Sequence, residues 1–450
     1  MRIHWPGSKV RGSRACCLVA GAALAVAAAA ACTPPTSSSG SASAAGPAGS
    51  AHATQSPGDQ PVSQPSPDQS GATDSPGSAA QRAAEAVQGR AAVPTAAQLA
   101  ALRAESGVIA RLSPQQLAGQ RVIYSYRGLR APAGLLSLIR HGDVGGVIFF
   151  GSNISGEAQL RGVIARLVAA NASKSNPARK YPLLLMTDQE GGEVRRLAWA
   201  GPDQSEAQIG ASSDPAAAAA TAGTQAASDL RAVGINLNLA PVLDVYRSVG
   251  DFDDQYQRSY SRNPGVVAEA GAAFITAQQH GSVAATVKHF PGLGAAATTQ
   301  DTDDEPVTIS LSARTLRSID ELPYKAAFRA GAKLAMVSWA NYPALDPKLP
   351  AGLSPTIIQG DLQRRLGFTG VTITDALGAG ALRAYGTLAN KTMLAGRAGM
   401  DALLCTGVNP LPGWKCVAGL KDGYIDGALP RTAFRAQLAQ LLRLRASLPA

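Results

Sequence analysis

The chain has 450 residues, enough for one large domain with flanking segments, and 46% of them are hydrophobic, so a sizeable core can be buried. The formal charge of +10 overstates the basic character, because Arg2, Lys9, Arg11 and Arg14 sit in an acid-free N-terminal stretch whose removal leaves an excess of +6. That excess is scattered, without Lys/Arg runs or aromatic interleaving, which argues against a nucleic-acid surface and leaves a solvated one with at most weak attraction to an anionic cell wall.

The first predicted element is an export signal over residues 1–32. Basic residues up to Arg14 precede an Ala-rich apolar stretch, 15–31, near the lower limit for a spanning helix, and the composition turns polar abruptly after it. The small residues before Cys32 resemble a bacterial lipobox, with Ala29 where Leu is usual. Cys32 is the candidate lipidation site, and ordinary cleavage nearby without lipid is the alternative. The expected location is the outer face of the cytoplasmic membrane, reached by a lipid anchor only, or the medium. Residues 33–93 are dominated by Ser, Ala, Gly, Pro, Gln and Thr and hold few large apolar side chains. Such a segment cannot offset the entropy of ordering and reads as a flexible tether.

From residue 94 to the end the composition changes to short apolar runs alternating with Ala/Leu-rich helical stretches. The runs are 121–126, 146–150, 183–188, 235–245, 284–290, 334–340, 371–375 and 401–405. Most are continuously apolar, as in parallel strands covered on both faces. Helical stretches such as 216–233, 264–280 and 312–330 lie between them. Eight strand–helix units predict a single (β/α)8 barrel over residues 94–450. The alternative, an open doubly wound sheet, loses its nucleotide-binding forms because no Gly-x-Gly-x-x-Gly or Walker-type loop follows an early strand. No metal-ligand cluster or cofactor loop appears, so neither is expected, and the sequence carries no signal of oligomeric state.

Active sites of such barrels form at the C-terminal strand ends. The third strand ends in Thr187-Asp188-Gln189-Glu190-Gly191-Gly192, with Arg195 and Arg196 beyond it. The fourth runs through Asn238 to Asp244, with Arg258-Ser259-Tyr260 in the following loop. The fifth ends in Lys288-His289-Phe290-Pro291-Gly292, the sixth in Ser338-Trp339-Ala340-Asn341-Tyr342-Pro343, and the seventh in Thr374-Asp375-Ala376-Leu377. A lone Asp is usually a solvated loop charge or a helix cap. Charged and polar groups at five successive strand ends are hard to explain that way. Asp375, after a β-branched apolar run, is the sharpest candidate. A carboxylate there suits a glycosidase nucleophile, since an oxocarbenium-like centre needs negative charge close by.

These pieces carry a specific resemblance. Residues 188–192, 288–292 and 373–377 resemble glycoside hydrolase family 3, in particular its single-domain β-N-acetylglucosaminidase (β-hexosaminidase) branch, whose bacterial members include lipoproteins. The similarity runs from about Val108 to the C-terminus. The resemblance implies a retaining enzyme that hydrolyses terminal N-acetylglucosamine from peptidoglycan-derived fragments. Asp375 would form a covalent glycosyl-enzyme, and Asp188, Arg196, Arg258, Lys288 and His289 would hold the terminal sugar. The partner it implies is therefore a cell-wall amino sugar. Charge-assisted hydrogen bonds to a neutral sugar are the stronger kind.

The chain also departs from the pattern. Leu293 stands where that branch has a second His, and Glu193 stands where Arg is common. The loop 299–305, Thr-Gln-Asp-Thr-Asp-Asp-Glu, lacks the His that serves as acid/base, with Asp303 in its place. The folded region holds only His141, His280 and His289. The first two precede strands and should lie at the opposite barrel end, so the proton donor must be a carboxyl group, with Asp303 and Asp301 the leading candidates. Other β-glycosidase or phosphorylase chemistry on the same barrel remains open, as does a non-catalytic glycan-binding lipoprotein. Cys405 and Cys416, the only cysteines of the folded region, can form a disulfide or remain two buried thiols.

Overall fold

The computed structural model describes residues 105–449. The export signal, Cys32, the tether and residues 94–104 lie outside the described residues.

Eight parallel strands form one sheet: β1 (Val122–Tyr124), β2 (Gly146–Ile148), β3 (Leu184–Thr187), β4 (Leu237–Asn238), β5 (Ala284–Phe290), β6 (Leu334–Val337), β7 (Val371–Thr374) and β8 (Leu403–Cys405). Each pairs with its successor from β1 to β7, and β8 pairs with β1. The bridge between Ile373 and Ala402, with the Thr374 N–H to Ala402 O bond of 3.1 Å, closes the ring. The fold is the expected (β/α)8 barrel. Helices α1 (Pro114–Gly119), α2 (Ala133–His141), α3 (Glu157–Asn171), α4 (Pro215–Val233), α5 (Pro264–His280), α6 (Leu322–Arg329), α7 (Leu388–Ala398), α8 (Leu411–Ile425) and α9 (Arg431–Ala446) surround it. Local chemistry sets their ends. Asp214 caps α4 by accepting from the Ala217 N–H, Pro215 fills its first position, and Gly234 terminates it in the left-handed region.

Side-chain alternation along the strands fills the lumen. Ile123, Ile148, Leu184, Met186, Leu237, Leu334, Met336, Val371, Ile373 and Leu404 form one buried cluster, joined by Leu441 and Leu444 of α9. Arg445 of α9 donates to Tyr181 O at 2.9 Å and Pro182 O at 2.6 Å, just before β3, so α9 closes the N-terminal end of the barrel. The opposite end is left for the strand-end polar residues.

Two predicted elements come out differently. The fourth run, 235–245, is a ladder only at Leu237–Asn238, and the rest is irregular. Pro241 has no N–H to contribute, and ladder contact resumes only as a Val242–Lys288 bridge. The single helix expected over 312–330 is divided into a short turn, a wider π-type turn at Leu316–Asp320, and α6. Pro323 at the start of α6 cannot donate the N–H that an unbroken helix would need there.

Candidate active site

The lumen alternation runs straight into the site. Val371 and Ile373 point inward on β7, and Asp375 is the next residue of that parity. Leu184 and Met186 likewise lead to Asp188, and Ala284 and Thr286 to Lys288. The register is shared, because Phe290, Val337 and Thr374 pair across β5, β6 and β7. Asp375, partly exposed, therefore stands at the same barrel mouth as Lys288 and His289. One of its oxygens accepts the Ala376 N–H at 2.6 Å. Behind it, the buried Trp339 indole donates to Ala376 O at 3.0 Å.

Asp188, Lys288, Arg258 and Arg196 belong to one buried ion network. Lys288 Nζ lies 2.9 Å from Asp188 Oδ1 and 2.6 Å from Glu190 Oε1. Arg258 grips Glu190 with Nε at 2.8 Å and Nη2 at 3.0 Å, and reaches Asp253 at 2.9 Å. Arg196 Nε stands 4.0 Å from Asp188 Oδ2. Asn238 fixes the main chain between the two acids, accepting the Gln189 N–H at 3.0 Å and donating to Gln189 O at 2.9 Å. Burial alone would raise Glu190, but Arg258 and Lys288 outweigh it and bring its pKa down to about 2. Burial alone would lower Lys288, yet Asp188 and Glu190 hold it above its ordinary value. The network keeps both cations charged in a dry site.

His289 is held by Asp244. Its Nδ1 lies 2.7 Å from Asp244 Oδ2, and Asp244 also accepts the Leu293 N–H at 2.5 Å. Burial opposes the imidazolium, but Asp244 outweighs it and raises the His289 pKa. Asp253, beside Asp244, is pushed up to about 7 by burial despite Arg258, with the Asp244 charge adding to the rise, so the two acids share a proton near neutrality. Glu206 lies behind Glu190. It accepts the Val242 N–H at 3.0 Å, and burial with the Glu190 charge keeps it well above the usual carboxylate range.

The acidic loop reaches the mouth from β5. Its main chain docks on the segment after β7: Gly380 N–H donates to Asp303 O at 2.6 Å and Ala381 N–H to Thr302 O at 3.1 Å. Only glycine fits at 380, since a Cβ there would come within 2.0 Å of Asp304 O. Asp301 is partly buried and accepts the Asp303 N–H at 2.8 Å. Burial raises its pKa against that N–H, and the charges of Asp304 and Asp375 add to the rise. The charge of Asp375 is thus felt at Asp301. His141 ends α2 and His280 ends α5, both before strands and away from this end. Cys405, at the end of β8, is bonded to Cys416 of α8.

Sequence reasoning singled out Asp188, Arg196, Arg258, Lys288, His289, Asp301, Asp303 and Asp375. It missed Glu190, Asp244, Asp253 and Glu206 as members of the charge network. Glu190 had a signal, the same strand parity as Asp188. Asp253 comes from an irregular loop and Glu206 from the first position of a short helix, Glu206–Gly210, and no periodicity reveals the return of either to the site.

A (β/α)8 barrel whose mouth combines an inward carboxylate with a network of charged hydrogen-bonding groups has the parts that glycoside hydrolysis needs. Residues 115–444 match the glycosyl hydrolase family 3 N-terminal domain, and the chain belongs to glycoside hydrolase family 3. It is 44% identical over 355 residues to an uncharacterized secreted glycosyl hydrolase of Arthroderma benhamiae, covering 79% of this chain and 98% of that one. It is 34% identical to a beta-hexosaminidase of Stenotrophomonas maltophilia, over 59% of this chain and 77% of the relative. Among solved structures, a family 3 beta-N-acetylglucosaminidase from Paenibacillus sp. superposes with a TM-score of 0.70 at 32% identity, covering 75% of this chain. The chain spans 63% of that longer protein.

Proposed function

We propose that the chain is an exported, retaining β-N-acetylhexosaminidase that releases terminal N-acetylglucosamine from peptidoglycan-derived fragments, with Asp375 as nucleophile. The observation that carries this reading is the Asp375 carboxylate at the barrel mouth, together with a second carboxyl group, Asp301, whose pKa is raised by burial and by the charges of Asp304 and Asp375. The likeness to a beta-hexosaminidase and a beta-N-acetylglucosaminidase supports the sugar, and the likeness to a secreted hydrolase supports export. Cys32 would be the lipidated residue that ties the tether to the membrane.

In the first step a terminal sugar sits over the network, its hydroxyl and acetamido groups held by Asp188, Arg196, Arg258, Lys288 and His289. His289, with Nδ1 occupied by Asp244, offers Nε2. Asp375 attacks the anomeric carbon while the acid gives its proton to the departing oxygen, so the sugar–oxygen bond breaks as the Asp375–sugar bond forms. In the second step the same group, now a carboxylate, takes a proton from water, which displaces Asp375 and restores the β configuration. Asp301 is favoured as this group, because burial and the neighbouring charges of Asp304 and Asp375 raise its pKa, the direction a proton donor needs. Asp303, at the position of the family's loop His, is the alternative.

Turnover of a panel of aryl β-glycosides by the purified chain tests the reading. N-Acetylglucosaminide should be preferred and its product released as the β anomer. Preference for glucoside, or dependence on phosphate, would point to another activity on this barrel, and no turnover of any member would point to a binding protein.

A further inference from the structure

Cations that look scattered along the sequence are gathered by the fold. Each helix returns the chain to its next strand at the barrel end opposite the mouth, and the connecting segments there are basic. Arg140 lies in the last turn of α2 before β2, Arg179 and Lys180 precede β3, Lys333 precedes β6, Arg364 precedes β7, and Arg397 lies in the last turn of α7 before β8. All six are exposed, and none forms an ion pair with a described residue. The acids of the same segments are withdrawn: Asp143, Asp361 and Asp401 are buried. Asp361 is bound to Arg365 at 2.5 Å, and Asp401 accepts the Thr372 N–H at 2.8 Å. Asp422 and Asp426, at the end of α8, are exposed, but Lys421 pairs with the first at 3.3 Å and the exposed Arg431 and Arg435 follow on α9. The mouth has the opposite character, with Asp301, Asp303, Asp304 and Glu305 in one loop.

The basic end is also a firm floor. Helix α9 lies across it: Gln437 Nε2 donates to Gly396 O at 3.3 Å, and Arg445 Nε donates to Pro182 O at 2.6 Å. Arg443 of α9 pairs with Glu105 at 2.8 Å. Glu105 is the first described residue, so the preceding chain joins the barrel at this end. Unpaired like charges on one rigid face repel one another, and an anionic counter-surface relieves that repulsion. The cations belong to segments before β2, β3, β6, β7 and β8 and so ring the floor. A ring suits an extended plane, whereas a single polymer chain calls for a groove.

We propose that the N-terminal end of the barrel is an electrostatic seat for a bilayer surface rich in anionic phospholipid headgroups. An anchor anywhere in the preceding chain would bring the bilayer to this end. Seated so, the barrel turns its mouth away from the membrane, toward material outside it. The proposal is independent of the glycosidase reading, since it invokes no residue of the mouth.

Vesicle binding tests it. Residues 33–450, which contain the whole closed barrel, are used without lipid, so that only protein surface can bind. Wild type should bind vesicles of equal parts phosphatidylglycerol and phosphatidylcholine and ignore vesicles of phosphatidylcholine alone. It should detach in about 1 M salt, where the screening length falls to about 3 Å. Each cation near such a surface contributes about fivefold to binding, so the combined Arg179→Gln, Lys180→Gln and Arg364→Gln variant should bind about 100-fold more weakly at low salt. The combined Arg130→Gln, Arg262→Gln and Arg314→Gln variant removes three exposed cations from mouth-side segments and should bind as wild type does. An unchanged affinity in the first variant, an equal loss in the second, or binding that ignores salt overturns the seat. Displacement of wild type by soluble poly(glycerol phosphate) at matched phosphate would assign the floor to a wall polymer and also overturn it. Should the first variant fail to fold, Arg179→Gln and Arg364→Gln decide singly: each should lose about fivefold, and no loss in either overturns the proposal.

Discussion

Glu190→Gln is the substitution that most directly probes the buried network. The native carboxylate serves Lys288 at 2.6 Å and Arg258 at 2.8 and 3.0 Å. Glutamine keeps the shape but removes the charge, and its amide N–H groups must face a cation. Deleting one partner of a buried pair costs about 3–5 kcal/mol. Here Lys288 keeps Asp188 at 2.9 Å, and Arg258 keeps Asp253 at 2.9 Å. Asp253 titrates at about 7, so at alkaline pH it is fully ionised against Arg258 and recovers part of the loss. The expected penalty is therefore about 3 kcal/mol near pH 8 and larger near pH 5.5, where Asp253 is protonated. Denaturant unfolding at the two pH values measures it, and kcat/KM should fall mainly through KM as the two cations lose their aim. Glu193→Gln, an exposed change in the same loop after β3, is the control. A Glu190→Gln midpoint equal to that of the control, or a smaller penalty at the lower pH, would refute the reasoning.

Three further outcomes are expected. Asp301→Ala should slow disaccharide hydrolysis by about 10²–10⁴-fold, yet leave a burst of phenolate from a dinitrophenyl glycoside, which departs without a proton; Asp303→Ala should cost less, and the reverse ranking would move the acid to Asp303. Burial, against the pull of Arg247, raises Asp320 to about 7 from an ordinary 3.8, so its contribution to stability is complete below the ordinary value and is lost as pH rises through about 7. Asp320→Asn should flatten that part of the stability–pH curve by at most about 1.4 kcal/mol per pH unit, and curves that stay parallel to wild type would contradict it. Peptide mapping of unreduced protein should find Cys405 and Cys416 joined, with reduction costing about 2–3 kcal/mol of stability, and two alkylated thiols would remove the bridge.

The barrel was legible because its strands are buried on both faces and so read as apolar runs. Asp375, Asp188 and Lys288 were legible because each continues an inward strand alternation into the mouth. Less could be read where the chain leaves regular structure. Asp253 joins the network through a loop and Glu206 through the short helix Glu206–Gly210, both set in place by tertiary contacts, and the role of Asp244 depends on a turn of the chain around His289. The break before α6 was hidden because Pro323 sits at a helix start, where proline is tolerated, and sequence alone does not say whether a new helix begins there. The acidic loop gave the composition of a proton donor but not its identity, which depends on Gly380 allowing the loop to dock.

The central claim is the covalent role of Asp375, and trapping tests it most directly. A fluorinated N-acetylglucosaminyl fluoride that forms the intermediate quickly and hydrolyses slowly is incubated with the protein, which is then digested and mapped by mass spectrometry. The account predicts one sugar equivalent on the peptide containing Asp375, with none on Asp375→Ala. A label on Asp301, Asp303 or any other residue, or hydrolysis with inverted product and no label, would contradict it.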